Sequence, residues 1–183
     1  MQGRLNLNPL SHLDPIGSML LLFAGFGWGK PVQINPRNFS RKISMSAADA
    51  IVSFAGPFMN FLLAFIFLII YYLLRTFNIL GGLSSNMAGI IITMVLLAST
   101  INVGLGVFNL LPLPPLDGSK ILMHFLPYNA KRWFENNERI FYYVFIFLFI
   151  TGASSYIIGP IIRGVYTGLS SLVKSIFRLM GLL

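Results

Sequence analysis

The side chain best placed to do chemistry in this sequence is Asp117, one of five acidic residues among 183. It ends the proline-rich stretch Pro112-Leu113-Pro114-Pro115-Leu116, and Gly118 follows it. The prolines exclude a regular helix there, and glycine allows another backbone to approach closely. The flanking chain is apolar enough for a membrane, where irregular backbone is tolerated only inside protein or beside a water-filled cavity, the setting of a catalytic site. The same features equally fit an aspartate that caps a helix beginning near Ser119.

Two asparagine side chains lie beside proline-containing segments where a helix is expected to break. Asn60 follows the small residues and the proline of Ala55-Gly56-Pro57, and Asn109 leads into the proline-rich stretch. Each amide can hydrogen-bond either a substrate backbone or a neighbouring helix. The sequence leaves both roles open, substrate binding and helix packing.

Histidine and carboxylate side chains are the metal ligands that this chain offers, because it contains no cysteine. Its two histidines are His12 and His124, and neither has a glutamate beside it. His124 lies seven residues after Asp117 and is conceivable as a second ligand. A histidine on a helix surface or at a membrane interface is the simpler interpretation.

These side chains belong to a very apolar chain, with 56% hydrophobic and 10% charged residues, against roughly a quarter charged in soluble domains. Apolar runs of about 20 residues are long enough to cross a bilayer. They predict three firm membrane-spanning helices at about residues 50–74, 87–111 and 140–162. A bend or break in the third is expected near Gly159-Pro160. The fold class is therefore an all-α polytopic membrane protein.

The two ends of the chain are predicted to add smaller elements. Residues 1–49 should hold a short strand near residues 5–8 and an apolar stretch at 16–28, a half-span rather than a full crossing. Residues 163–183 have apolar residues at helical spacing, which predicts an amphipathic C-terminal helix or a continuation of the third span. Its simplest role is anchoring. A single membrane-embedded helical core at 50–162 lies between these segments.

The basic residues predict how the chain is oriented. Thirteen Lys and Arg against five Asp and Glu give a formal net charge of +8. The basic segments, at about residues 30–42 and 120–139, fall on the same side of the predicted spans, whereas residues 76–86 carry no charge. The positive-inside rule places the basic side in the cytoplasm. This pattern needs no nucleic-acid partner, and together with the lack of cysteine it suits a multi-pass protein of a bacterial inner membrane.

Six segments, in the same order as in the family, make the chain resemble the site-2 proteases, which are intramembrane zinc metalloproteases, and in particular their compact prokaryotic branch. The segments are residues 3–9, 12–17, 27–32, 35–39, 55–57 with Asn60, and 109–118. The resemblance implies a protease embedded in the lipid bilayer that cleaves membrane-embedded protein substrates. It also implies Zn²⁺ as the cofactor.

In the family, the zinc is held by two histidines of a His-Glu-x-x-His motif and by an aspartate in a Leu-Asp-Gly context. By resemblance, Asp117 is that aspartate, and His12 matches a position that is not a ligand. The motif's glutamate is the general base for a zinc-bound water that attacks the peptide bond.

The sequence departs from the family pattern because it contains no His-Glu-x-x-His. In the family this motif precedes the Gly-Arg-Leu segment, so both histidines and the general-base glutamate are expected upstream of Met1. With one expected ligand, the chain alone should be catalytically incomplete and should not hold catalytic zinc. The alternative is a non-catalytic scaffold or pseudoprotease that binds membrane protein substrates or partners. A transporter or channel is disfavoured, because the spans are nearly uncharged and show no inverted repeat.

Overall fold

The computed structural model describes residues 8–24, 29–30 and 42–182. The chain forms two compact units, Met1–Phe39 and Ser40–Leu183. The first unit holds the predicted half-span, and the second holds the membrane helices.

In the first unit, a 3₁₀ turn at Pro9–Ser11 precedes helix α1, Pro15–Ala24. Asp14 starts this helix, because its Oδ1 accepts a hydrogen bond of 3.0 Å from the Ile16 N–H. Ten residues extend about 15 Å, half the thickness of a bilayer core. This agrees with a half-span, although residues 25–28 of the predicted stretch lie outside the described residues. Residues 5–7 of the predicted strand lie outside them too.

Two long helices, α2 at Met45–Thr76 and α3 at Ser85–Asn109, form the centre of the second unit. Each begins at a serine cap: Ser44 Oγ accepts from the Ala47 N–H, and Ser84 Oγ from the Met87 N–H. Both helices are long and apolar enough to cross a membrane. The first two predicted spans are therefore confirmed.

Small residues bring α2 and α3 close together. A Cβ atom on Gly106 would lie 2.7 Å from the ring of Phe61, so glycine leaves room for this ring in its present position. Nearby, the buried Ser99 hydroxyl donates a hydrogen bond of 3.1 Å to the carbonyl oxygen of Ala64. Packing of small residues and bonds of this kind are what hold helices together in lipid.

After α3 come two short helices, α4 at Asp117–Phe125 and α5 at Tyr128–Asn136, and then α6 at Glu138–Ile150 and α7 at Ala153–Leu179. The predicted third span at 140–162 is wrong in its bounds. The chain breaks between α6 and α7 at Gly152, whose φ of 71° is left-handed. Helix α7 then continues through Pro160 without a break. The 13 residues of α6 reach only about 20 Å, whereas α7 is long and apolar enough to be the third span.

The C-terminal residues belong to this span and not to a separate tail. Helix α7 runs across the predicted boundary at 162/163. Its residues Val173 and Phe177 are buried with Leu68 of α2, and the hydroxyl groups of Tyr72 and Ser170 lie 3.3 Å apart. The apolar spacing read from the sequence therefore marks a face that packs on α2, so this segment does more than anchor the chain.

Helix α7 runs parallel to α2, which sets the side on which the chain ends. Ile158, near the start of α7, packs with Val107 near the end of α3, and Phe177 packs near Tyr72 towards the end of α2. The C-terminal end of α7 therefore lies at the same end of the bundle as the uncharged turn between α2 and α3. Helices α4 and α5, which carry Lys120, Lys131 and Arg132, lie at the other end.

We expect cysteine labelling to report this arrangement, because the chain has no cysteine of its own. Single variants Gly82→Cys and Met180→Cys should react with a membrane-impermeant maleimide in intact cells. Asn136→Cys in α5 should react only after the membrane is permeabilised. Labelling of Asn136→Cys and Met180→Cys from the same side would contradict the three-span arrangement.

Candidate functional site

The proline-rich stretch forms a series of tight turns between α3 and α4. The N–H of Leu113 donates to the carbonyl of Leu111, and that of Leu116 to the carbonyl of Leu113, at 2.8 and 2.9 Å. The stretch is non-helical, as its prolines predict. It delivers Asp117 as the first residue of α4.

Asp117 is not the cap of this helix. The cap position is Leu116, and no side chain caps the helix there. The alternative in which Asp117 caps a helix that begins near Ser119 is therefore wrong, because the helix begins two residues earlier. The Ser119 hydroxyl instead donates a hydrogen bond of 2.7 Å to the Leu116 carbonyl and closes the first turn.

Gly118 allows the start of α4 to fold back onto the end of α3. A Cβ atom at this position would overlap the backbone carbonyl groups of Leu110 and Leu111. Backbone atoms cannot move aside as the end of a flexible side chain can. The close approach that the sequence suggested for Gly118 is present, and it holds Asp117 in place.

The carboxylate of Asp117 lies against the Gly56-Pro57 segment of α2. A Cβ atom on Gly56 would be 3.5 Å from Oδ2 of Asp117, and Pro57 is buried. The structure thus brings together two motifs that are about 60 residues apart in sequence. The sequence singled out both motifs, but it carried no signal that they meet.

The surroundings of Asp117 disfavour its charged form. Burial raises the pKa of its carboxyl group, and the Lys120 ammonium one turn further on opposes this shift. A bound cation stabilises such a carboxylate in its charged form. A charged Asp117 carboxylate at this position is therefore favoured by a positive partner.

The two asparagines lie on different helices, and the helix break expected beside Asn60 is absent, because α2 continues through Pro57. Asn60 follows Gly56 by one turn of α2, which places both on one face, and Asn109 is the last residue of α3. Both side chains are half-buried. Among the described residues, neither amide side chain has a hydrogen-bond partner, so their roles remain predictions.

Comparison with known proteins identifies the family. The model of peptidase family M50 matches residues 29–152. The chain is 36% identical over 179 residues to the Bacillus subtilis (strain 168) protein named "Putative zinc metalloprotease YwhC", covering 97% of this chain and 78% of that protein. The chain belongs to peptidase family M50, the site-2 protease family. The resemblance noted in the sequence is thereby confirmed, and no solved structure matches the chain.

The M50 family implies a zinc ion, but the residues of this chain do not by themselves fit one. All seven histidine and acidic residues lie in the parts that the structure describes, and no three of them come together there. These residues are His12, Asp14, Asp49, Asp117, His124, Glu135 and Glu138. A catalytic zinc needs three protein ligands, and this chain brings Asp117 alone to the site.

The two histidines are held elsewhere. His124 lies at the far end of α4, about 10 Å along the helix from Asp117, with its Nδ1 3.2 Å from Ser46 Oγ of α2. His12, in the first unit, has its Nδ1 2.9 Å from the carbonyl oxygen of Asn8. The alternative of His124 as a second ligand therefore gains no support, and its contact with Ser46 ties α4 along α2.

An open pocket of about 290 Å³ borders the proline-rich turn. It is lined by Pro114 and Pro115 from the turn and by Glu138, Arg139, Tyr142 and Tyr143 from α6. The sequence analysis missed it, because it placed residues 140–150 inside a membrane span. The short helix α6 instead brings polar side chains beside the segment that carries Asp117.

Proposed function

We propose that this M50 protein is the core of an intramembrane zinc endopeptidase that cleaves membrane-embedded protein substrates, with Asp117 as a zinc ligand. The observation that carries the proposal is the position of the Asp117 carboxylate, at the start of α4 and against Gly56 of α2. Membership of a metallopeptidase family and the presence of three candidate membrane spans support it. A bacterial cell membrane is the expected location.

In this proposal the chain's own residues hold the carboxylate and receive the substrate. Gly118 and the proline-rich turn hold Asp117, and Gly56 leaves space beside it. A substrate helix must unwind before cleavage, because its peptide groups are occupied by their own hydrogen bonds. In this proposal the amides of Asn60 in α2 and Asn109 in α3 bond the freed backbone.

The remaining two zinc ligands and the general base come, in this proposal, from residues outside these 183. The proposal places them upstream of Met1, in the His-Glu-x-x-His motif of the family. The 183-residue chain alone then lacks most of the coordination energy and does not hold catalytic zinc.

The test begins with the coding DNA in frame upstream of Met1. If it encodes the motif, the longer protein and the 183-residue chain are purified from membranes, dialysed and assayed for zinc and for cleavage of transmembrane substrates. We expect about one zinc ion per longer chain, little in the shorter one, and cleavage only by the longer protein. An in-frame stop codon without the motif would overturn the proposal and favour the non-catalytic scaffold.

A further inference from the structure

An arginine lies deep within the third span. Arg163 is ten residues from the start of α7 and sixteen from its end, or about 15 and 24 Å at the helical rise. The other charged residues of the three candidate spans lie within five residues of a helix end. These are Asp49, Arg75, Lys174 and Arg178.

The depth of Arg163 follows from the length of α7. Its 27 residues extend about 40 Å, so a bilayer core of about 30 Å centred on the helix places Arg163 about 10 Å inside the hydrocarbon. The preceding residue, Ile162, packs on the buried cluster that includes Ala64 and Val103, in the interior of the bundle. Cations at such depth are rare because they are costly, and they mark functional contacts.

The described fold does not neutralise this arginine. Its side chain is exposed on the outer face of α7. The acidic residues of the helical unit lie near the start of α2 and in α4, α5 and α6, and neither α3 nor α7 contains one. Among the described residues of this unit, no carboxylate forms an ion pair with Arg163.

The α7 backbone beside Arg163 is accessible to a neighbouring helix. Gly164 and Gly168 lie on exposed positions of α7, and a Cβ atom at either would meet nothing within 4 Å. A neighbouring helix can therefore approach α7 closely at the depth of the guanidinium group.

We propose that Arg163 and the adjoining exposed face of α7 bind a second transmembrane helix that carries a carboxylate near mid-bilayer. The carboxylate neutralises the guanidinium group of Arg163, which the fold leaves unpaired. This charge complementarity, more than the close approach at Gly164 and Gly168, selects the partner helix. A second copy of these 183 residues does not fit, because its three candidate spans hold no acidic residue at this depth. The interaction requires no catalysis and is tested on the 183-residue chain, so its failure is distinguishable from a failure of the proposed protease function.

The test uses the 183-residue chain with a donor fluorophore on a single Met180→Cys, reconstituted in phosphatidylcholine vesicles at pH 8. The probes are leucine-rich transmembrane peptides with one central aspartate, asparagine or leucine, each carrying an acceptor. Energy transfer is measured against the peptide-to-lipid ratio. We expect the aspartate peptide to associate roughly tenfold more tightly than the leucine peptide. The asparagine peptide should fall between them.

Arg163→Leu should remove the preference for aspartate, and Arg163→Gln provides a polar replacement if the leucine variant does not fold. Arg178→Leu, near the end of the same helix, is the matched control and should keep the preference. Equal binding of the aspartate and leucine peptides would overturn the proposal, as would a preference that survives Arg163→Leu. Loss of the preference when phosphatidylglycerol is added would show that lipid headgroups occupy the arginine instead, and would also overturn it.

Discussion

Replacing Asp117 by asparagine should remove bound zinc and reduce peptide-bond cleavage at least about 100-fold in the form of the protein that carries the His-Glu-x-x-His motif. The variant loses the one charged ligand that this chain brings to the site, and even changes outside the ligand set cost 10–100-fold in metal affinity. Zinc content after dialysis and the rate of substrate cleavage are the two measurements.

Lys120→Gln is the matched control for Asp117→Asn. It changes the charge one turn along α4 and leaves the proposed ligand intact, so zinc content should stay near that of the unmodified protein. In the 183-residue chain, Asp117→Asn should not lower the melting temperature, because burial already disfavours the charged carboxylate. An unchanged zinc content in Asp117→Asn would contradict the assignment of Asp117 as a ligand. A large loss of stability in this variant would assign the residue a structural role.

Gly118→Ala should be among the most destabilising single substitutions in the chain. The added methyl group would overlap the carbonyl groups of Leu110 and Leu111, so the start of α4 must move away from the end of α3. We expect a loss of about 3 kcal/mol or more. In a detergent-solubilised sample this should lower the melting temperature by roughly 10 °C, and it should displace Asp117.

Gly89→Ala is the control, because it is not expected to lower the stability of the chain. Gly89 lies inside α3, where a Cβ atom would meet nothing within 4 Å. Alanine is favoured over glycine in a helix by up to about 1 kcal/mol, so this variant should be as stable as the original chain or more so. Equal melting temperatures for the two alanine variants would mean that the close approach at Gly118 does not hold the site.

The spans were predictable from sequence to different degrees, for physical reasons. Helices α2 and α3 were predictable because length and hydropathy alone decide whether a segment crosses a bilayer. The third span was misplaced because both 140–162 and 153–179 are apolar, and hydropathy does not show where the helix breaks. A proline such as Pro160 is tolerated inside a membrane helix, because neighbouring groups satisfy the backbone atoms that it frees. The break occurs instead at Gly152, whose backbone is left-handed.

Local composition and an ordered set of motifs are sufficient to predict the membrane class, the first two spans, the rigid turn before Asp117 and the family. Tertiary packing, in contrast, brings α7 along α2, places Gly56 against Asp117 and leaves Arg163 without an acidic neighbour among the described residues of its unit. The first two facts depend on contacts between residues about 60 to 110 positions apart. No local pattern encodes such contacts, because they arise only when the helices pack.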